Sequence, residues 1–274
     1  MAQDIMINDI IGFIGTGNIG APLVRAAVKA TEGSNILISN RRTTKSVALA
    51  GEIGAAAATN KEIAEKCGMI VLGVKPQMMA GVLGEIAGIL KQRTDEFVLV
   101  TMAAGVSIDR IRSMAEGPYQ VIRIMPNLPA AVGEGMTLYC LSDNMPADYV
   151  ERFCDIFSES GIFDHITEEL MDIGCAVSGC GPAFVSVFME AMADGAVECG
   201  LPRDKAYKYV AQTLYGTSLL LLQGGKHPGE IKDMVANPGG STITGLHAME
   251  SRGFRVAAME AITAAFQKTV KIGK

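Results

Sequence analysis

A doubly wound, mostly parallel α/β domain followed by an all-helical second domain is the fold class predicted by this 274-residue sequence. Three observations carry the prediction. Short apolar runs alternate with helical patterns through about residue 165, the rhythm of repeated βαβ units. A glycine-rich stretch, Gly15-Thr16-Gly17-Asn18-Ile19-Gly20, follows the first apolar run and opens a helix through Ala21-Pro22-Leu23-Val24. From about Glu168 the strand rhythm stops and long helical stretches replace it.

Strands are expected near 10–14, 35–39, 69–74, 97–102, 119–124 and 136–140. Continuous runs such as Met69-Ile70-Val71-Leu72 and Phe97-Val98-Leu99-Val100 suit strands covered on both faces. Helices are expected near 182–199, 203–223, 228–235, 242–251 and 254–271, which sets a cofactor domain at 1–166 and a helical domain at 167–274. The helix beginning at Pro182 has little polar face beyond Ser186, Glu190 and Asp194. A helix apolar nearly all round must be buried, and so small a domain has little interior for it. An obligate homodimer with a shared helical core follows, and dimers could assemble further.

Composition narrows the function. With 49% apolar residues the chain is not disordered, and a net charge of −5 gives no footprint for nucleic acid. Met1-Ala2-Gln3-Asp4 shows no basic export region, and no uninterrupted apolar stretch nears the roughly 18 residues of a membrane span. Cys67, Cys140, Cys154, Cys175, Cys180 and Cys199 form no C-x-x-C pair, and His165, His227 and His247 lie far apart. No metal site is expected, and the thiols suit a reducing cytoplasm. The partner is then a small molecule.

The glycine stretch supplies the cofactor. Gly15 permits a tight turn, Gly17 lets backbone N–H groups approach pyrophosphate, and Gly20 allows close helix–strand packing. Beyond the second apolar run stands Asn40-Arg41-Arg42. A carboxylate there would hold a ribose 2′-OH, whereas a guanidinium suits a 2′-phosphate, so NADP(H) is preferred and NAD(H) remains open. Three further strand ends face the same edge: Val74-Lys75-Pro76, Ala103-Ala104-Gly105 and Met125-Pro126-Asn127. Each also reads as an ordinary turn, with Lys75 and the arginine pair as surface charges and Asn127 as a cap.

A second glycine-rich site lies at Val235-Ala236-Asn237-Pro238-Gly239-Gly240-Ser241-Thr242. Pro238-Gly239-Gly240 ends one helix, and Ser241 and Thr242 open the next. Free N–H groups at a helix start attract an anion without a basic side chain, although a plain helix cap has the same sequence signature.

These residues together give the chain its resemblance to the pyrroline-5-carboxylate reductase family. It extends over essentially the whole sequence. It rests on Gly12-Phe13-Ile14-Gly15-Thr16-Gly17-Asn18-Ile19-Gly20, on Val74-Lys75-Pro76, Ala103-Ala104-Gly105-Val106 and Met125-Pro126-Asn127. It rests further on Ser178-Gly179-Cys180-Gly181-Pro182-Ala183-Phe184, Gly200-Leu201-Pro202, His227-Pro228 and residues 238–246. The resemblance implies an N-terminal Rossmann domain, a helical dimerisation domain and NAD(P)H-dependent reduction of 1-pyrroline-5-carboxylate to L-proline. It implies that Val235, Gly239, Gly240, Ser241 and Thr242 take the substrate, with Thr242 near the ring nitrogen, and that Asn60 contacts the cofactor. The chain departs from the family pattern at Cys180, Met234, Asn237 and Ser241.

Three other readings stand beside it. A reductase of another cyclic imino acid would share every motif. A β-hydroxyacid dehydrogenase of the 3-hydroxyisobutyrate type would need a lysine on the helix after Gly181, where the next lysine is Lys205. A non-catalytic NADPH sensor would not need the second glycine-rich site.

Overall fold

The computed structural model describes residues 8–272; the Met1-to-Asp4 segment, read above for an export signal, lies outside the described residues. Its chain divides into two units, Met1–Cys180 with Ala265–Lys274 and Gly181–Ala264.

The first unit is built on one eight-stranded sheet. Its strands are β1 (Ile11–Ile14), β2 (Ile36–Ser39), β3 (Ala56–Ala57), β4 (Met69–Leu72), β5 (Val98–Thr101), β6 (Gln120–Met125), β7 (Gly135–Leu141) and β8 (Gly161–His165). Their order is β3-β2-β1-β4-β5-β6-β7-β8. All pairs are parallel except β6 with β7. The sequence expectations hold for six of these strands. They omit β3, two alanines in a small-residue patch, and β8, a half-exposed edge strand.

Both faces of the sheet are covered, and the side-chain alternation of each strand divides the core between them. Ile11, Phe13, Met69, Val71, Val98 and Val100 pack with Leu23 and Val24 of α1 (Gly20–Ala30), Leu49 of α2 (Thr43–Ile53), and Tyr149 and Phe153 of α6 (Ala147–Phe157). On the other face Ile14, Ile70, Leu72, Leu99 and Val121 pack with Ile63 of α3 (Asn60–Lys66), Leu83 and Ile86 of α4 (Pro76–Gln92), and Ile111 of α5 (Ile108–Ala115). Sheet order reverses between β1 and β4, so a crevice opens outside their carboxyl ends.

After β8 the chain enters a helical run, Glu168–Glu198. It comprises a short α7 (Met171–Gly174), a π-helical turn at Cys175–Gly179 and α8 (Gly181–Glu198). The π turn is closed by Cys180 N–H donating to the Cys175 carbonyl at 3.0 Å. By length and composition this run could cross a membrane, although Asp172, Glu190 and Asp194 interrupt it.

The second unit holds α8, α9 (Arg203–Gly224), α10 (Pro228–Val235), α11 (Ser241–Ser251) and most of α12 (Phe254–Ile272). Its own core is small: Ala193, Ala206 and Val210, flanked by Met189, Val197, Leu201 and Leu214. Within one chain the burial expected of α8 is not met. Ala193 is its only buried residue, and Val187 is 67% exposed. Packing on α9 covers one stripe of a helix whose composition calls for cover on nearly every side.

Candidate functional site

The glycine turn sits at the reversal point of the sheet. Gly15 adopts φ +92°, and a Cβ there would stand 2.8 Å from Val74 Cγ1 and 2.9 Å from the Gly73 carbonyl oxygen. A Cβ on Gly73 would in turn strike the Gly15 carbonyl oxygen. The chain ends of β1 and β4 therefore meet through two residues that must both be glycine. Gly20 packs so that a Cβ would lie 2.8 Å from the Gly15 oxygen, whereas Gly17 is exposed with open space at its Cβ position. Helix α1 then begins with Ile19 at its N-cap and no side chain capping it. Free N–H groups, an open Gly17 and the positive end of a helix make a cradle that fits a pyrophosphate.

Asn40 braces this cradle from the end of β2. Its Oδ1 accepts from Thr16 N–H at 2.8 Å, and its Nδ2 donates to Thr16 Oγ1 at 2.6 Å. Gly15 N–H also donates to the Ser39 carbonyl at 2.8 Å. Ser39 Oγ donates to Asn60 Oδ1 at 2.7 Å, and Asn60 Nδ2 to Glu85 Oε2 at 2.7 Å. Asn60 is placed by a capping box in which Thr59 and Glu62 hydrogen-bond each other's backbone at the start of α3. The Thr59 hydrogen bonds hold the Glu62 carboxyl below its ordinary range.

Ser39, Asn40, Thr43, Asn60 and Glu85 line a cavity of about 360 Å³ beside the glycine turn. Arg41 and Arg42 are exposed just before α2, and Arg42 is its N-cap without a side-chain capping bond. A larger cavity, about 470 Å³, lies among Asp9, Asn35, Asp148 and Arg152 at the amino ends of the strands and holds none of the sequence-predicted residues.

The other strand ends line up along the same edge. Lys75 is exposed at the N-cap of α4 and Pro76 begins that helix. Ala103 is buried, and Gly105 turns the chain at φ +73°. Asn127 is buried at the end of β6; its Oδ1 accepts from Met136 N–H at 2.9 Å and its Nδ2 donates to the Ser178 carbonyl at 3.0 Å. Its amide thus joins β7 to the π turn.

In the second unit α10 ends at Val235, and Gly239 takes φ +69° before Gly240 caps α11. No side chain caps this helix and its first turn carries no acidic residue. Ser241 and Thr242 are exposed at its first two positions. The arrangement fits a carboxylate as the α1 start fits a phosphate.

Sequence reading missed two groups. Glu85 enters the cavity beside the glycine turn from α4, where helical spacing shows only an exposed acid. A buried arginine, Arg123, pairs with Glu168 and Asp172; its one sequence signal is a charge inside the apolar run of β6.

Comparison with known proteins gives two family matches. Residues 10–105 match the model described as "NADP oxidoreductase coenzyme F420-dependent", and residues 168–272 the model described as "Pyrroline-5-carboxylate reductase dimerisation". Pyrroline-5-carboxylate reductase 3 of Rattus norvegicus is 33% identical, with all of both chains covered. The pyrroline-5-carboxylate reductase of Escherichia coli is 36% identical over 96% of this chain and 98% of its own. The crystal structure of Plasmodium falciparum pyrroline carboxylate reductase with NADP bound superposes with a TM-score of 0.86 at 31% identity, covering 98% of this chain and all of that one. Full-length identity at this level, with both halves matched in order, places the chain in the pyrroline-5-carboxylate reductase family.

Proposed function

We propose that the chain reduces the C=N bond of 1-pyrroline-5-carboxylate to L-proline, with NADPH preferred over NADH. The observation that carries this reading is the start of α11, an uncapped helix N-terminus behind the Gly239 turn, in a chain whose glycine turn already fits a dinucleotide. A sensor of NADPH has no use for it.

Bound NADPH supplies the hydride. The chain's own residues would bind and orient. Gly15, Thr16, Gly17, Asn18, Ile19 and Gly20 would hold the pyrophosphate. Asn40, Arg41, Arg42 and Asn60 would take the adenosine end with its 2′-phosphate. Val74, Lys75, Pro76, Ala103, Ala104, Gly105 and Asn127 would border the remainder along the strand ends. Val235, Gly239, Gly240 and Ser241 would receive the imine's carboxylate through backbone N–H groups, and Thr242 Oγ1 would hydrogen-bond the ring nitrogen. A protonated imine accepts hydride readily, so alignment rather than a strong acid is the main requirement. The nitrogen keeps its proton and becomes the amine of proline.

This reading assigns the cofactor to residues 1–166 and the substrate and dimer contacts to 167–274. It makes the homodimer obligate, because the second unit buries so little of α8 by itself. Dimers could associate further. The enzyme would work in the cytoplasm, where six free cysteines stay reduced, without nucleic-acid or membrane partners.

The test follows absorbance at 340 nm with pyrroline-5-carboxylate and its six-membered analogue, each with NADPH and with NADH. Turnover of the five-membered ring with NADPH is expected to dominate. Tight NADPH binding with no turnover of either ring would overturn the reading, and preference for the six-membered ring would reassign the substrate.

A further inference from the structure

Strand β6 carries an arginine within an otherwise apolar run, Val121-Ile122-Arg123-Ile124-Met125. Arg123 is 3% exposed, and a guanidinium taken that far from water has to be paired. Its Nη1 donates to Glu168 Oε1 at 3.1 Å and its Nη2 to Asp172 Oδ1 at 2.7 Å, two carboxylates four residues apart. The same Glu168 Oε1 accepts Ile108 N–H at 2.8 Å. Ile108 begins α5, and the segment leading into it is Ala103-Ala104-Gly105-Val106-Ser107. One carboxylate oxygen therefore ties the turn after β5 to the middle of β6.

Ala103 and Val106 anchor the turn in the core, but its backbone is weakly bonded. Its internal hydrogen bonds are long, 3.4 Å from Ala103 N–H to Thr101 Oγ1 and 3.3 Å from Val106 N–H to the Ala103 carbonyl. The bond to Glu168 is the short one, and it is made to an ionised acceptor. Sheet order gives the turn a place along the cofactor. Strands run β2-β1-β4-β5, stepping about 4.8 Å each. With the 2′-phosphate at the end of β2 and the pyrophosphate at the end of β1, the nicotinamide half would extend toward β4 and β5.

We propose that Glu168 is a positioning residue for the nicotinamide half of the cofactor site. Held by Arg123, its carboxylate fixes the start of α5 and thereby the 103–106 turn. The inference rests on the cofactor placement given above. A purely structural ion pair would stabilise the fold without favouring one end of the dinucleotide.

The experiment compares the full-length wild type with Glu168→Ala, Glu168→Gln and Glu168→Asp. Binding is measured by calorimetry with NADPH and with 2′-phospho-ADP-ribose, which lacks the nicotinamide. Glu168→Ala is expected to bind the fragment within twofold of wild type and NADPH at least fivefold more weakly, with a raised KM for NADPH. Glu168→Gln, whose amide oxygen can still accept Ile108 N–H, should recover most of the loss. Equal weakening toward both ligands, or lower thermal stability with unchanged affinities, would overturn the proposal. Should Glu168→Ala fail to fold, Glu168→Asp decides. It keeps the charge facing Arg123 but withdraws the carboxylate by one methylene, and affinities equal to wild type for both ligands would also overturn it. Wild-type binding of NADPH without pyrroline-5-carboxylate turnover would instead count against the proposed reaction, and the ligand comparison would remain readable.

Discussion

Asn40 holds Thr16 with both ends of one amide, accepting from Thr16 N–H at 2.8 Å and donating to Thr16 Oγ1 at 2.6 Å. The end of β2 thereby sets the shape of the phosphate turn after β1. Asn40→Ala removes both bonds from a half-buried site, a loss of about 1–3 kcal/mol, which carried into NADPH affinity is roughly five- to 150-fold. Asn40→Asp separates shape from charge. A carboxylate can accept from both Thr16 groups, so thermal stability should hold, but it adds a negative charge beside the phosphates. NADPH titration should therefore find Asn40→Asp at least as weak as Asn40→Ala. Wild-type affinity in the aspartate variant would remove the phosphates from this turn.

Arg41 should decide between the two nicotinamide cofactors. Neither Arg41 nor Arg42 enters any ion pair among the described residues, and both are exposed. A guanidinium kept free at the end of β2 suits a 2′-phosphate, which it can engage through paired N–H bonds. Arg41→Glu is expected to shift the ratio of kcat/KM for NADPH over NADH by about tenfold or more toward NADH, with the melting temperature unchanged. An unaltered ratio would reduce Arg41 to a surface charge.

What was legible in the sequence was whatever repeats locally. Alternation and apolar runs place six strands and every long helix of the second unit, and Gly15 and Gly20 mark the turn because a Cβ at either would strike neighbouring atoms, while Gly17 leaves its face open. Contacts joining distant positions leave no such trace. Asn40 reaches back 24 residues to Thr16, and Glu168 reaches back 60 to Ile108. Asn127 was noticed as a strand-end residue, but its bond to the Ser178 carbonyl depends on a π turn that no spacing rule announces. Strand β3 escaped for a different reason. Ala56 and Ala57 have weak strand preference and form a strand only because Leu37 and Ile38 of β2 offer an edge.

Acid sensitivity should have a contribution from Arg93 and Asp95. Arg93 donates through Nε and Nη2 to the two Asp95 oxygens at 2.9 and 2.5 Å, and through Nη1 to the Ala64 and Cys67 carbonyls at the end of α3. The guanidinium holds the Asp95 carboxyl below its ordinary value. A carboxyl depressed in the folded state adds stability above its unfolded pKa and loses it as the pH falls through the folded one. The contribution should be whole at pH 7, begin to fall below about pH 4 and be gone only once the pH lies below the lowered folded value. Asp95 is half-exposed, so the effect stays below about 1 kcal/mol. Asp95→Asn should lower the melting temperature at pH 7 by a few degrees at most and lower it by less at pH 3. An equal drop at both values would mean that lost packing, not charge, is responsible.

The exposed stripe of α8 is where the dimer should be most easily broken. Val187 is 67% exposed within one chain, on a helix that buries only Ala193. In a shared core a carboxylate at position 187 would lose its water without gaining a partner, a cost of several kcal/mol. Sedimentation equilibrium at micromolar concentration should find a dimer for the wild type and dissociated or aggregated chains for Val187→Glu. A stable wild-type monomer would defeat the shared-core reading, and an unaffected Val187→Glu dimer would move the contact to another face.

Thr242 carries the most direct prediction about chemistry. It occupies the second position of α11, after the Gly240 cap, and its side chain is exposed and outside any core cluster. Removing its hydroxyl should therefore cost the fold little. A hydrogen bond from Oγ1 to the ring nitrogen would align the imine for attack, so its loss should lower kcat/KM for pyrroline-5-carboxylate by about ten- to a hundredfold. NADPH affinity should remain within about twofold, because the phosphates are assigned to α1 and to the end of β2. Thr242→Ser keeps the hydroxyl and should recover most of the rate, whereas Thr242→Val keeps the shape and should not. If Thr242→Val is as efficient as the wild type, the hydroxyl has no part in the reaction and the backbone of the α11 start alone orients the substrate.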